Sequence, residues 1–285
     1  MKPIPIMING LPGNVASMIA RHALGDARFT LLPHSLTGPE IEKDHCIIST
    51  RSFDLVHPAD REQAMDAIQK RHTYFISVDF THPAAVTDNA AFYCRRRLPF
   101  VMGTTGGDRA MLDQTVRESQ VCAVVAPNMA KQIVGFQAMM AYGAATFPGL
   151  FSGYHLSVRE SHQAGKADTS GTAKAMVSYF QRMGVDFCVD AIIKERDPTV
   201  QRLEWNIPAE NLAGHAWHTY RLTSPDQSVR FEFTHTVNGR DVYAEGTLDA
   251  VRFLDRRLHA GATGAVFSMI DVLKGSPQAG PPGSA

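Results

Sequence analysis

The chain has 285 residues, of which 44% are hydrophobic and 20% charged, as in soluble globular proteins. Its 28 basic and 28 acidic residues balance, so the charge indicates no nucleic-acid partner. No apolar stretch approaches the roughly 18 residues that span a bilayer. The four cysteines form no C-x-x-C pair, so we expect no metal site and a reducing compartment. Because the first residues also lack a signal-peptide pattern, we expect a cytoplasmic protein.

Strands and helices are predicted to alternate through the first half of the chain. The apolar run 4–8 is typical of a parallel strand that is buried on both faces, and 15–24 has helical spacing. Further strands are predicted at 29–32, 74–79, 100–103 and 121–126, a strand pair at 46–49 and 55–56, and helices at 61–71, 83–96 and 109–118. This alternation predicts a Rossmann-like, doubly wound parallel sheet in an α/β protein.

The pattern changes after residue 127. Apolar and polar residues alternate with period two between 214 and 247, notably at 219–222, 229–233 and 242–245, which is typical of antiparallel strands. Helices are predicted at 133–147, 170–183, 250–258 and 266–273, and a strand at 155–160. We therefore predict a dinucleotide-binding domain at 1–127, an α+β substrate-binding domain with a mainly antiparallel sheet at 128–246, C-terminal helices that return to the first domain at 247–274, and a disordered tail at 275–285.

A glycine turn follows the first predicted strand and opens the first helix. Its spacing is Gly10-x-x-Gly13-x-x-Ala16, and this context is the one that a dinucleotide fingerprint requires. The glycines would allow the tight turn and a close approach of the pyrophosphate, which would sit at the helix N-terminus. An ordinary strand-to-helix turn is an equally good interpretation of this motif alone.

Polar and small residues also follow three other predicted strands. Ser35 and Thr37 come after the second strand, where no acid occurs before Glu40, so we expect NADPH, with NADH possible. The segments 79–83 and 103–107 end two further strands. Since ligands bind outside the carboxyl ends of parallel strands, these two segments are expected to face the same nucleotide site as the Gly10 turn.

The segment 160–174 carries the clearest indication of chemistry. His162 is a residue type suited to proton transfer near neutral pH, and Lys166 could supply charge or a proton. Thr169 or Ser170 could cap the following helix. The N–H groups that follow would then receive a carboxylate. A solvated loop before a capped helix is the alternative interpretation.

Together these segments resemble dihydrodipicolinate reductase, in its plant-type branch. The resemblance rests on the string E-S-H-Q-x-x-K-x-D-T-S-G-T-A-K at 160–174, and on segments 10–16, 79–83, 103–106, 126–129 and 243–247. Bacterial relatives typically carry two adjacent histidines where this chain has His162-Gln163. Gln163 can bind a carboxylate but cannot titrate.

The resemblance implies an NAD(P)H-dependent reduction of 4-hydroxy-tetrahydrodipicolinate to tetrahydrodipicolinate, with loss of water, in lysine and diaminopimelate biosynthesis. It implies proton transfer by His162 and Lys166, and a hinge near Asn128 and Gly246. The expected residues around the substrate carboxylates are Gln163, Ser170, Gly171 and Thr172. The cofactor contacts that the resemblance implies and those expected from the strand ends form one set: Gly10, Leu11, Pro12, Gly13, Asn14, Val15, Ser35, Thr37, Phe80, Thr81, Gly103, Thr104, Thr105, Ala126, Pro127, Asn128 and Met129.

Two other classes of function remain open from the sequence. Another Rossmann-type amino-acid or semialdehyde dehydrogenase would commonly use a catalytic cysteine, but no cysteine here lies beside a histidine in the chain. A non-catalytic nucleotide sensor would be expected to lose the pair His162 and Lys166. We expect a small dicarboxylate as the ligand, no membrane partner, and assembly into a homodimer or homotetramer through exposed sheet edges.

Overall fold

The computed structural model describes residues 2–275. Its strands are β1 (Ile4–Asn9), β2 (Phe29–Leu31), β3 (His34–Leu36), β4 (His45–Ile48), β5 (Arg51–Val56), β6 (Ile76–Asp79), β7 (Phe100–Met102), β8 (Ala123–Val125), β9 (His155–His162), β10 (Ile193–Glu195), β11 (His215–Thr223), β12 (Arg230–Asn238) and β13 (Val266–Phe267). Its helices are α1 (Asn14–Leu24), α2 (Arg61–Arg71), α3 (Val86–Arg95), α4 (Arg109–Glu118), α5 (Lys131–Thr146), α6 (Gly171–Arg182), α7 (Pro198–Leu203), α8 (Asp241–His259) and α9 (Met269–Lys274).

The chain forms two compact units. One comprises residues 1–134 together with 241–285, and the other comprises residues 135–240. The changes of unit therefore fall within α5 and immediately before α8, several residues from the limits expected at 127 and 246. The four-part domain division stays a prediction. No helix within residues 2–275 is long and apolar enough to cross a bilayer.

The first unit is built on a six-stranded parallel sheet, which confirms the Rossmann-like prediction. Its strand order is β13–β8–β7–β6–β1–β2, and every neighbouring pair is parallel. On α1, Ala16, Ile19, Ala20 and Ala23 are buried at the i, i+3, i+4, i+7 spacing that makes one helix face apolar. A smaller sheet, β3–β5–β4, lies in the same unit.

The second unit holds a four-stranded sheet of order β10–β9–β11–β12, in which only β10 and β9 are parallel. The register places Glu160, His218 and His235 directly opposite one another, so they form one row across β9, β11 and β12. Along α6, four residues at helical spacing are buried with the apolar side chains of this sheet: Ala173, Met176, Val177 and Phe180.

Two sequence predictions of secondary structure are wrong. Residues 242–245 are not a strand but the first turns of α8, because the buried positions 244, 247, 248, 251 and 254 follow a helical period that four residues alone cannot reveal. Residues 266–273 are not one helix, since β13 precedes α9, which starts at a capping box of Ser268 and Asp271. The tail that was predicted to be disordered lies outside the described residues, except for Gly275.

Candidate active site

The turn between β1 and α1 is shaped by two glycines. Gly10 has φ +101°, and a Cβ there would lie 2.2 Å from the carbonyl oxygen of Phe80. A Cβ on Gly13 would lie 2.7 Å from the carbonyl oxygen of Gly10. No side chain fits at either position, so the two glycines bring the backbone of the turn against the end of β6.

The start of α1 is open to an anion. Its first turn contains no acidic residue, and Gly13 at its N-cap offers no side-chain hydrogen bond. The first N–H groups of a helix have no acceptor within the helix. Because Pro12, Gly13 and Asn14 are exposed here, these N–H groups fit the pyrophosphate of a dinucleotide.

A buried carboxylate ties together the loops that follow β6 and β7. Asp79 is fully buried, and its Oδ1 accepts hydrogen bonds from the hydroxyls of Thr81 (2.9 Å) and Thr104 (2.7 Å). Its Oδ2 accepts from Asn89 (3.0 Å) and Tyr93 (2.7 Å). Four neutral side chains therefore surround one buried carboxylate, and they fix both loops relative to the sheet.

This network extends to the last residue of β3. Asn9 donates to the Tyr93 hydroxyl (3.0 Å) and accepts from the N–H of Leu36 (2.9 Å). Asn9 and Tyr93 could not be recognised as site residues from the sequence, because each lies within a regular element and neither belongs to a motif. Only the position of Asp79 at a strand end hinted at the network.

A cleft of about 840 Å³ opens above these loops, within the size range of small-molecule sites. Of the predicted cofactor contacts it is lined by Gly10, Leu11, Pro12, Gly13, Thr37, Phe80 and Thr81. The ten others do not line it: Asn14, Val15, Ser35, Gly103, Thr104, Thr105, Ala126, Pro127, Asn128 and Met129.

Several of these ten support the cleft from behind. Ser35 is fully buried, and its hydroxyl accepts from the N–H of Leu11 (3.1 Å), so it does not offer the ligand contact expected of it. Thr104 is likewise buried, with its hydroxyl on Asp79. A Cβ on Gly103 would lie 2.2 Å from the ring of Phe80, so only glycine lets that ring occupy its place.

The remaining positions lie near the end of β8. Ala126 and Met129 are buried in the apolar core of the unit. Asn128 accepts a hydrogen bond from the N–H of Ala130 (2.9 Å), whereas Pro127 and Thr105 are exposed. A Cβ on Gly246 would lie 1.8 Å from the carbonyl oxygen of Met129, so this segment packs directly on α8.

Three charged residues that were not assigned from the sequence also line the cleft: Glu40, Arg61 and Asp88. Arg61 lies at the start of α2, and its guanidinium carbon lies 4.8 Å from the centre of the Phe92 ring. Glu40 is near enough to Gly38 that a Cβ there would lie 2.3 Å from the carboxylate. The acid noted at 40 therefore does reach the cleft, together with a cation.

In the second unit, a buried carboxylate organises the loop after β9. Glu160 is fully buried, and its Oε1 accepts a 2.5 Å hydrogen bond from Arg196. Arg196 also donates to the carbonyl oxygen of Lys166 (2.7 Å), so one guanidinium holds both strand and loop. Arg196 was missed because it lies far along the chain from residues 160–174 and in no motif.

The Glu160 carboxylate also occupies the start of α6. It accepts from the N–H of Ser170 (3.1 Å), whereas the Ser170 side chain makes no capping hydrogen bond. Neither Thr169 nor Ser170 therefore caps the helix by its side chain, because Glu160 takes that place. Gly171 is exposed, and a Cβ there would meet no atom within 4 Å. The N–H groups of Gly171 and Thr172 are thus accessible to a carboxylate.

His162 is the last residue of β9, and Lys166 lies in the middle of the loop that leads from β9 to α6. Burial, together with the nearby Arg196 and Lys166 cations, lowers the pKa of His162 to about 4. The ring is therefore neutral near pH 7. Lys166 pairs with Asp168 at 2.8 Å, and Gln163, whose carbonyl accepts from the N–H of Lys166, is half-buried. A buried imidazole, two cations and a free helix start thus occur within one unit, which suits a diacid.

Two family models match the chain along most of its length. The model described as dihydrodipicolinate reductase, N-terminus, matches residues 4–129, and the one described as dihydrodipicolinate reductase, C-terminus, matches residues 133–273. The 4-hydroxy-tetrahydrodipicolinate reductase 1, chloroplastic, of Arabidopsis thaliana is 44% identical over 271 residues, which cover 95% of this chain and 78% of the relative. The second chloroplastic reductase of that plant is 45% identical over 272 residues, covering 95% of this chain and 77% of the relative.

A solved structure has the same fold. It is described as dipicolinate-bound dihydrodipicolinate reductase from Paenisporosarcina sp. TG-14, with a TM-score of 0.64 and 17% identity, and covers 93% of this chain and 97% of its own. The parallel sheet and its glycine-bounded cleft define a nicotinamide-dependent oxidoreductase of the Rossmann type. Within that class, the chain belongs to the dihydrodipicolinate reductase family. The alternative of a semialdehyde dehydrogenase is thereby set aside.

These comparisons correct one expectation. We expected a cytoplasmic protein from the isolated thiols and the residues at the start of the chain, but similar relatives from Arabidopsis thaliana and Oryza sativa are named as chloroplastic enzymes. The cytoplasmic prediction is therefore wrong. Reduced thiols are compatible with more than one compartment, so they could not distinguish between cytoplasm and plastid.

Proposed function

We propose that this protein is a 4-hydroxy-tetrahydrodipicolinate reductase that acts in lysine and diaminopimelate biosynthesis, with His162 and Lys166 as its proton-transfer groups. The observation that carries the proposal is the grouping of His162, Lys166, Arg196 and the open start of α6 around one buried carboxylate. The names of the plant relatives and the dipicolinate bound by the solved relative agree with a cyclic diacid as substrate.

The nucleotide unit would hold the cofactor by its turn and loops. The N–H groups at the start of α1 would bind the pyrophosphate, and the backbone between Gly10 and Gly13 would lie against it. Phe80 and Thr81, held by Asp79, would line the rest of the site. When bound, the reduced nicotinamide supplies the hydride that is added to the substrate ring.

The second unit would bind the diacid and supply the proton that the reduced ring takes up. One carboxylate would accept from the N–H groups of Gly171 and Thr172, and Gln163 could bind the other. Loss of the 4-hydroxyl group as water leaves a conjugated imine, and hydride addition at its C4 sends electrons toward the ring nitrogen, which takes up a proton. The two negative charges of the bound substrate would offset the positive charges of Arg196 and Lys166 near His162. They would therefore raise the pKa of the His162 imidazole, so that it could carry this proton.

For the cofactor, we propose a preference for NADPH, supported by Arg61 in the cleft. A guanidinium binds a 2′-phosphate well, although the Glu40 carboxylate at the same cleft would oppose it. We also propose homo-oligomers that form through β12, an edge strand that is exposed over most of its length.

The proposal is tested by NADPH oxidation with freshly generated substrate. His162→Ala and Lys166→Ala should each lower kcat by about 10²–10⁴, the range for proton-transfer groups. Thr172→Val should mainly raise KM. Arg182→Ala, a change at an exposed residue in the last turn of α6, serves as the control and should keep wild-type kcat. Wild-type turnover in both catalytic variants, or an inert wild-type protein, would contradict the proposal.

A further inference from the structure

The row of Glu160, His218 and His235 contains a group of buried polar atoms that the proposed reaction does not use. His218 is 1% exposed, and neither of its ring nitrogens has a hydrogen-bond partner among residues 2–275. The same holds for Nε2 of His162. Buried nitrogens without partners are uncommon in folded proteins, and each calls for a water, an ion or a catalytic role.

The unpaired nitrogens of His218 and His162 lie close to the same carboxylate oxygen. Nε2 of His218 lies 3.7 Å from Oε2 of Glu160, and Nε2 of His162 lies 4.0 Å from the same oxygen. One ligand atom from each of the three residues lies within 4.8 Å of the other two. The gaps between the carboxylate and the two imidazoles are too long for hydrogen bonds, yet all three atoms are close enough together to bind one ion.

We propose that Glu160, His162 and His218 form a binding site for a divalent transition-metal ion of the zinc class. Two imidazole nitrogens and a carboxylate oxygen are a ligand set that zinc accepts, with its fourth position open. Ligands of a tetrahedral zinc at its usual bond lengths stand roughly 3.3 Å apart. The two carboxylate–imidazole gaps of 3.7 and 4.0 Å would therefore close by roughly half an ångström, and the gap between the imidazoles, which is within 4.8 Å, by up to about 1.5 Å. Arg196 holds Oε1 of the Glu160 carboxylate, and Oε2, which also accepts the N–H of Ser170 at 3.1 Å, has a second lone pair for the metal.

The surrounding strands fix this geometry. His162 and Glu160 lie two residues apart on β9, on one face of the sheet, and His218 stands opposite Glu160 on β11. The rings of His162 and His218 meet edge to face with centres 5.0 Å apart, and His235 stacks on His218 at 4.6 Å. Because Arg196 and Lys166 are cations near the site, we expect weaker binding than at a structural zinc site.

The site is tested by metal binding to the whole protein without substrate. Metal-stripped protein is titrated with Zn²⁺ against a chromogenic chelator, and with Co²⁺ while its visible absorption is followed. We expect one ion per chain and a tetrahedral Co²⁺ spectrum. His218→Gln should weaken binding by about 100-fold or more, since losing a ligand costs more than the 10–100-fold that is typical of outer-shell changes.

His235→Gln is the matched control, because it alters a neighbouring ring in the same row without removing a ligand, and it should bind like the wild type. If His218→Gln fails to fold, His162→Asn gives the same test. Binding of equal strength in all variants would mean that ions sit elsewhere on the protein, and no binding would mean that water alone fills the position. Either outcome overturns the site.

Occupancy also has a functional consequence that rests on the proposed function. A metal on Nε2 of His162 takes the lone pair that proton transfer needs, so Zn²⁺ should inhibit the wild type in step with the binding curve and inhibit His235→Gln equally. Binding that depends on His218 but leaves turnover unchanged would support the metal site and contradict the role of His162. The two proposals can therefore fail separately.

Discussion

Tyr93 donates a 2.7 Å hydrogen bond to Oδ2 of Asp79, and both side chains are completely buried. Burial raises the pKa of Tyr93 well above its ordinary value, and the Asp79 charge raises it further, so the phenol remains a donor throughout the working pH range. This bond links α3 to the end of β6, which Thr81 follows in the chain. It therefore couples the stability of the sheet to the shape of the cofactor cleft.

Tyr93→Phe should lower the free energy of unfolding by about 1.5–3 kcal/mol, the usual range for hydrogen bonds to charged groups. It should also raise KM for the cofactor, because the loops held by Asp79 lose one of their supports. Tyr74→Phe removes a 2.6 Å bond to Asp255 at a 37% exposed tyrosine, so it should cost about 1 kcal/mol or less. Urea unfolding of both variants checks this, and equal losses would contradict it.

Gly10 and Gly171 should respond in opposite ways to alanine. At Gly10 the methyl group meets a backbone carbonyl at 2.2 Å and φ is positive, so Gly10→Ala should destabilise the nucleotide unit strongly. At Gly171 the space is empty, so Gly171→Ala should leave the melting temperature unchanged or slightly higher while raising KM for the diacid. Thermal unfolding and steady-state kinetics distinguish the two effects. A Gly171→Ala enzyme with wild-type KM would exclude ligand binding at that helix start.

Arg61 should determine the choice between the two nicotinamide cofactors. Arg61→Ala should raise KM for NADPH and leave KM for NADH almost unchanged, since only NADPH carries the 2′-phosphate. Arg71→Ala, an exposed arginine at the other end of α2, is the control. Removing the opposing charge by Glu40→Gln should increase the preference for NADPH. Parallel changes in both KM values would assign Arg61 to another part of the cofactor.

The buried histidines should make the protein sensitive to acid. Burial lowers the pKa of His162 and of His235 to about 4, and that of His218 well below its ordinary value. The unfolded chain therefore binds more protons than the folded one between about pH 6.5 and 4, and stability should fall as the pH drops through that window. The charged and titratable groups near these rings are Glu160, Lys166, Arg196, His215 and Tyr220.

Urea unfolding as a function of pH checks this prediction. His235→Gln should reduce the loss of unfolding free energy across this pH window. His259→Gln, a change at an exposed histidine of α8, should not alter that loss. Asp226, whose pKa is lowered to about 2 by hydrogen bonds from Ser224 and Ser228, adds to the fall only near the acid end of the window, where the unfolded chain begins to protonate this carboxyl. A stability that stays constant over the window would contradict the neutral state of the buried rings.

The parallel sheet was predictable because each strand is a short apolar run between turn residues, and its order follows from the βαβ connections. The segment 160–174 was predictable because its polar residues are contiguous. The prediction failed at Val242–Glu245, where four alternating residues fit both a strand and a helix until Leu248 and Val251 are included. Local patterns decide elements only when they are longer than one turn.

The residues that complete the two sites were not predictable for a different reason. Tyr93, Arg196 and His218 lie far in sequence from the groups they contact, and each lies in an element whose own pattern is ordinary. Ser35 looked like a ligand contact because it follows a strand, but burial directs its hydroxyl to the backbone of Leu11. Such partnerships depend on strand register and packing, which single-sequence patterns do not contain.

The alternation of side chains along β11 and β12 restricts how this protein can change in evolution. Inserting or deleting one residue within either strand would turn His218 or His235 to the opposite face and break the row with Glu160. Length variation among descendants should therefore concentrate in the hairpin tip at 224–229, where Asp226 accepts hydrogen bonds from two serines and closes the bend without help from the sheet.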